Sequence, residues 1–190
     1  MHPHRYANSL LSIALVAIFM LQTPSGDAQS ITTPHAAASF ADFHKKVQQY
    51  VQFQKAVPRL RTTKDPNEIE NRRHALAQKI QELRINAKLG DIFTLEVATE
   101  FRRIIAKALK GEKRDKILKT LKQGEFTQDW KLSVNSEYPE GLPLTTMPPT
   151  LLRHLPELPK DLAYRFVGHD FVLQDTEARL IVDYIPNALP

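Results

Sequence analysis

The stretch YRFVGHDFVLQDTEARLIVDYI, residues 164–185, decides the fold of this chain. It contains three runs rich in β-branched and aromatic residues, separated by two short polar segments. Period-two alternation of such residues is typical of β-strands, and short polar segments between the runs form tight turns. The first turn holds Gly168, His169 and Asp170, and the second follows the run FVLQD. The stretch therefore predicts a three-stranded antiparallel β-meander over residues 162–190.

The last run of this stretch, LIVDYI, is apolar on both faces except at Asp183. Carboxylates are rarely buried unless they are paired or hydrogen-bonded. No neighbour in the sequence explains the charge of Asp183. If the segment carries a function, Asp183 beside a partner group is a better candidate than the Gly168 bend.

Residues 39–124 have helical periodicity and precede the meander. Ser39 is the expected N-cap of a first helix, whose apolar side chains recur every three or four residues. Asp65 and Pro66 have the residue types of an N-cap and a first helical position, and Gly90 is expected to end this second helix. The expected buried stripe of the second helix consists of Ile69, Leu76, Ile80, Leu83 and Ala87.

Two further helices are expected, at residues 94–110 and 113–123. Short connections between successive helices favour antiparallel neighbours. The sequence therefore predicts an α+β protein, in which an N-terminal antiparallel bundle of three to four helices packs with the C-terminal β-meander.

A proline-rich segment, residues 125–161, connects the two parts. It also carries many leucines, each of which gains about 1.5–3 kcal/mol from full burial. We therefore expect a structured connector that packs on the helices, with one or two helical turns at PPTLLRHL.

The N-terminus has the three-part layout of a secretory signal peptide. MHPHRYANS carries Arg5 and no acid, LLSIALVAIFML is apolar, and QTPSGDAQS is rich in small residues. The apolar run is too short to span about 30 Å of hydrocarbon comfortably. We predict a signal peptide at residues 1–28 with cleavage after Ala28, followed by a flexible leader at residues 29–38. The mature protein is then periplasmic or secreted, with no transmembrane segment.

Composition narrows the function further. The chain has 190 residues, no cysteine and a net charge of +5. Thiolate chemistry and disulfides are excluded, so stability must come from burial. The positive charge suits an acidic envelope protein or another anionic envelope component as partner. Export makes nucleic acid an unexpected partner. On an α-helix, residues spaced three apart turn around the axis and form no single face. The lysines with this spacing are Lys107, Lys110, Lys113, Lys116, Lys119 and Lys122.

No motif of catalysis or cofactor binding is present in the sequence. It contains no HExxH, no GxSxG and no GxGxxG. We therefore predict a non-enzymatic protein that has no cofactor. His169 and Asp170 are weak candidates for metal ligation, and a solvated turn is the alternative interpretation of both residues.

Three segments resemble the recurrent segments of a family of small exported bacterial proteins of unknown function. These are GDIFTLEVATEFRRII, YPEGLPLTTMPPTLLRHLPELP and LAYRFVGHDFVLQDTEARLIVDYIPNALP. The resemblance covers most of the mature chain and implies export. Separately, residues 155–185 resemble a module of periplasmic nickel/cobalt-homeostasis proteins. This chain has Glu177-Ala178-Arg179 where that module has a Thr-Gly bend, and no metal ligand is carried over.

These observations lead to one main hypothesis and two alternatives. The main hypothesis is an exported, non-enzymatic protein that binds or organises an envelope partner. The first alternative is a periplasmic metal-homeostasis accessory protein of the nickel/cobalt type. The second is a hydrolase whose residues meet only in the folded chain.

Overall fold

The fold is described by a computed structural model, which covers residues 34–57, 63–110, 115, 131–138 and 147–189. These residues belong to one compact unit. Helices occupy its N-terminal part and a three-stranded antiparallel sheet occupies its C-terminal part, so the predicted α+β class is confirmed. The predicted signal peptide lies outside the described residues, as does the predicted helix at residues 113–123 apart from residue 115, which is helical. No helix in the described part of the chain has the length and apolar character of a membrane span.

Four helices precede the sheet among the described residues: α1 (Pro34–Ala56), α2 (Pro66–Leu83), α3 (Leu95–Ala108) and the short α4 (Pro149–Leu152). The predicted start of α1 at Ser39 was wrong, because the helix already begins at Pro34. Proline suits the first helical turn, and the alanines that follow are strong helix formers. Ser39 lies inside the helix, where its hydroxyl donates to the carbonyl of His35 at 3.1 Å.

The predicted N-cap of α2 is confirmed. An Oδ1 atom of Asp65 accepts a hydrogen bond from the backbone N–H of Asn67 at 2.8 Å, and Pro66 is the first helical residue. The predicted end at Gly90 was wrong, since α2 ends at Leu83. Gly90 instead adopts a φ of +87° within the α2–α3 loop, which we define as residues 84–94.

The sheet contains β1 (Leu162–Val167), β2 (Asp170–Asp175) and β3 (Leu180–Ile185) in the order β1-β2-β3. Both pairs are antiparallel, which confirms the predicted meander. Residues 135–138 run along the outer edge of β3, where the N–H of Asn135 donates to the carbonyl of Ile181 at 2.8 Å. Part of the proline-rich connector therefore continues the sheet's hydrogen bonding.

One aromatic cluster joins the helices to the sheet. The rings of Phe43 in α1 and Phe101 in α3 lie 5.1 Å apart, centre to centre. Phe101 also lies 5.7 Å from Phe171 in β2, which contacts Tyr164 in β1 at 5.2 Å. The side chain of Leu151 in α4 is buried in the same core. Helices, connector and sheet thus share one apolar interior.

Candidate functional site

Asp183 is a fully buried acid in the middle of β3. Its Oδ2 atom accepts hydrogen bonds from the backbone N–H groups of Ile92 and Phe93, both at 2.8 Å. Its Oδ1 atom accepts from Gly90 at 3.1 Å and from Tyr184 at 2.9 Å. Three of these four donors belong to the α2–α3 loop. The carboxylate that had no explanation in the sequence therefore fixes this loop to the sheet.

The backbone conformation of the loop explains why glycine occupies position 90. A φ of +87° lies in the left-handed region, which is strained for residues with a side chain. A Cβ at this position would meet its nearest atom, the carbonyl oxygen of Phe93, at an ordinary 3.6 Å. The requirement for glycine is therefore conformational rather than steric. The turn at Gly90 lets the N–H groups of Gly90, Ile92 and Phe93 point at one carboxylate.

Burial raises the pKa of Asp183 above its ordinary value of 3.8, although four backbone N–H bonds oppose the shift. The native state therefore holds this proton more tightly than the unfolded chain does. Between pH 3.8 and the raised pKa, the contribution of Asp183 to stability falls as the pH rises. Across this pH interval, the free energy of unfolding from urea titrations should fall as the pH rises. The Asp183→Asn variant should lack this decrease. A carboxyl carbon-13 titration that places the pKa of Asp183 below 3.8 would contradict this.

A second buried acid, Asp175, lies at the end of β2 and is also fully inaccessible. Its Oδ2 atom accepts from the Tyr50 hydroxyl and from the Gln54 amide of α1, both at 2.7 Å. Its Oδ1 atom accepts from the N–H groups of Glu177 at 2.9 Å and Ala178 at 2.8 Å. Asp175 thus shapes the β2–β3 turn and attaches α1 to it. Burial raises the pKa of Tyr50 above its ordinary value, and the charge of Asp175 and the hydrogen bond to it raise this pKa further.

Arg84 follows α2 directly and is only 8% exposed. Its Nη2 atom donates to the carbonyl of Val182 in β3 at 3.2 Å, and its guanidinium lies 5.0 Å from the ring centre of Tyr50. Its Nη1 atom is buried and has no hydrogen-bond partner among the described residues. Burial is the main cause that lowers the pKa of Arg84 from its usual value. This arginine is the strongest candidate for an unused binding group.

Arg84 lines a cavity of about 310 Å³ between α1 and the α2–α3 loop, which we call the Arg84 cavity. Its walls combine apolar side chains, amides and both signs of charge: Lys46, Gln49, Tyr50, Phe53, Leu83, Arg84, Asn86, Ala87, Asp91 and Ile92. The volume lies at the lower end of the range usual for small-molecule sites.

Four exposed large aliphatic side chains lie in the α2–α3 loop or directly next to it in the sequence, and one of them, Leu83, also lines this cavity. We call this set the apolar loop surface and define it as Leu83, Ile85, Leu89 and Leu95. Ile85 is 78% exposed and Leu95 is 76% exposed. The predicted buried stripe of α2 was therefore wrong at Leu83, and also at Ile69, which is 48% exposed. Ile80 of the same stripe is buried, together with Ala77, which was not predicted.

His169 and Asp170 lie at the β1–β2 turn, as expected from the sequence, and Gly168 has the left-handed φ of +56° that this turn needs. The turn is attached to the C-terminal segment. Asp170 accepts from the N–H of Asn187 at 2.8 Å, and the carbonyl of His169 accepts from Leu189 at 3.1 Å. Within the described ranges, no group of three or more His, Cys, Asp and Glu side chains is placed to hold a metal ion. Metal ligation by His169 and Asp170 stays a prediction.

The six lysines at three-residue spacing are only partly within the described residues. Lys107 and Lys110 belong to them, whereas Lys113, Lys116, Lys119 and Lys122 lie outside. The cations that line the Arg84 cavity, Arg84 and Lys46, were not singled out in the sequence. Lys46 lies in α1 and Arg84 directly follows α2, so no local spacing could have joined them.

Comparison of the chain with protein-family models, with curated proteins and with solved structures finds no match. The two resemblances in the sequence therefore stay predictions. The functional argument depends on the geometry of the α2–α3 loop and the cavity beside it.

Proposed function

We propose that this is an exported, non-enzymatic binding protein whose partner is an envelope protein. The observation that carries the proposal is the exposure of Ile85 and Leu95 on the apolar loop surface. Contiguous apolar patches of more than a few hundred Å² are rare on soluble proteins and mark interaction sites, and we infer that the four side chains of this surface form such a patch. A partner that covers them gains roughly 25 cal/mol for each Å² of apolar area removed from water.

The way in which the loop is held supports the proposal. Asp183 accepts hydrogen bonds from Gly90, Ile92 and Phe93, so the backbone of the loop is fixed from inside. A preformed surface loses little conformational entropy when it binds, which raises affinity. The aliphatic side chains are therefore presented by a rigid segment rather than by a mobile one.

The charge of the chain bears on the chemistry of the partner. With a net charge of +5, the protein attracts acidic proteins more strongly than basic ones. We therefore expect an apolar patch bordered by acidic residues on the partner. The predicted signal peptide places the encounter in the periplasm or outside the cell. No observation on the described residues favours metal handling or hydrolysis over binding.

Photo-cross-linking in intact cells tests this proposal. A photoreactive residue at Ile85 or Leu95 should cross-link to a discrete envelope protein. Ile69 is the matched control, because it is also an exposed aliphatic residue, at 48%, but lies near the other end of α2. With a rise of about 1.5 Å per residue, Ile69 and Leu83 are separated by roughly 21 Å along the helix.

Three outcomes would contradict the proposal. The first is the absence of any adduct at Ile85 and Leu95. The second is the same set of adducts at Ile69 as at these two positions. The third is an adduct with a second copy of this chain alone, which would make the surface a homodimer interface.

A further inference from the structure

We propose that the Arg84 cavity is a binding site for a carboxylate group, with Arg84 and Lys46 as its cationic groups. This goes beyond the proposed function, because the cavity shares only Leu83 with the apolar loop surface and is not lined by Ile85 or Leu95. The ligand class follows from the charges and hydrogen-bond donors that line the cavity.

The hydrogen bonds of Arg84 leave one of its buried nitrogen atoms without a partner among the described residues. Its Nη2 atom is used by Val182, but its buried Nη1 atom has no partner in the described part of the chain. None of the ion pairs found among the described residues includes Arg84. An unsatisfied buried donor is costly, and more so when it is charged. Arginine attracts carboxylates through its permanent positive charge, and because Nη1 has almost no accessible surface, a ligand in the cavity acts on that charge rather than on Nη1.

The wall of the Arg84 cavity contains cations and neutral hydrogen-bond donors. Lys46 adds a second cation, and the amides of Gln49 and Asn86 supply neutral donors. Asp91 is the only carboxylate among the lining residues, and its Oδ2 atom already accepts from the N–H of Lys88 at 2.9 Å. Among the lining side chains alone there is one positive charge in excess, from two cations and one anion; the nearby Asp183, which does not line the cavity, balances it when ionised.

The negative charges near Arg84 favour a carboxylate over a phosphate as the ligand. Asp91 and Asp183 both lie close enough to Arg84 to act on its pKa. Their negative charges oppose a dianion more than a monoanion, so a singly charged carboxylate suits the site better. The cavity volume of about 310 Å³ is roughly ten times the volume that one water molecule occupies in liquid water. A small organic acid or the end of a peptide fits this space.

Two sources can supply such a group, namely a free small carboxylic acid and the C-terminal carboxylate of a peptide. Sodium propionate represents the first and N-acetyl-Leu-Ala the second. Propionamide and the C-terminal amide of the same dipeptide are the matched uncharged controls. The readout is the nitrogen-15 and proton shifts of the Arg84 side chain and of the Gln49 and Asn86 amides, at constant ionic strength.

We expect these NMR signals to shift saturably when at least one of the two carboxylates is added. Its uncharged amide should cause no shift. A stronger response to propionate identifies the free acid as the source, and a stronger response to the dipeptide identifies a peptide terminus. Lys46→Ala should weaken the binding at least about threefold, since it removes one of two cations. Lys45→Ala should leave the affinity unchanged, because Lys45 is exposed and does not line the cavity.

Lys46→Ala is the informative variant because Arg84 also donates to Val182, so a change at Arg84 alters folding and binding together. The proposal is overturned if neither carboxylate gives saturable shifts, or if carboxylates and amides act alike. It is also overturned if Lys46→Ala and Lys45→Ala have the same effect. These readouts are independent of the cross-linking at Ile85, so either proposal can fail alone.

Discussion

Asp183→Asn is expected to lower the free energy of unfolding by about 2–4 kcal/mol at neutral pH. Asparagine keeps the shape of the side chain but replaces one acceptor oxygen by an NH₂ group. That group would face the N–H donors of Ile92 and Phe93 or of Gly90 and Tyr184, depending on its orientation. Either orientation leaves buried donors without acceptors. Urea-induced unfolding followed by circular dichroism measures the loss.

Asp170→Asn is the matched control for this prediction. Asp170 lies in the same sheet, but it accepts one exposed hydrogen bond, from the N–H of Asn187. Asparagine can still accept that bond, so the expected loss is below about 0.5 kcal/mol, as for most surface substitutions. Equal losses for Asp183→Asn and Asp170→Asn would show that the buried carboxylate has no special role.

Asp175→Ala is expected to lower the free energy of unfolding by about 3–5 kcal/mol. The substitution leaves the buried Tyr50 hydroxyl and the Ala178 N–H without their acceptor. It also detaches α1 from the β2–β3 turn, since Gln54 loses its acceptor as well. Thermal and urea unfolding of the purified variant both measure this change.

A double-mutant cycle isolates the contact between α1 and the turn. Tyr50→Phe removes only the hydroxyl that donates to Asp175 at 2.7 Å. Because Asp175 and Tyr50 are directly hydrogen-bonded, their substitutions should couple by about 0.5–3 kcal/mol. Additivity within about 0.3 kcal/mol would mean that the two side chains stabilise the fold independently.

The sheet and the start of α2 were predictable because their signals are local, whereas the start of α1 was not. Alternating apolar residues predict the strands, and the Asp65-Pro66 pair marks the start of α2 through its own side chain and ring. The end of α2 was not predictable in this way. Gly90 has the residue type of a helix terminator, but the chain leaves the helix after Leu83 because residues 90–93 bind Asp183.

The candidate site was less predictable because its parts lie far apart in the sequence. Asp183 could be singled out as a charge in an apolar strand, yet its donors lie about ninety residues earlier. Asp175 looks like an ordinary turn acid, and nothing local reveals that Tyr50 and Gln54 donate to it. Arg84 has no signal at all in the sequence. Its importance arises from burial, which depends on tertiary packing.

The central claim is that Asp183 fixes the α2–α3 loop and thereby forms both the apolar loop surface and the Arg84 cavity. Amide hydrogen exchange in the wild type and in Asp183→Asn tests it most directly. The account predicts that the Ile92 and Phe93 amides are protected in the wild type. In the variant they should exchange at least about tenfold faster, relative to the buried Val172 amide in β2. Uniform acceleration of all three amides, or no change at Ile92 and Phe93, would contradict the account.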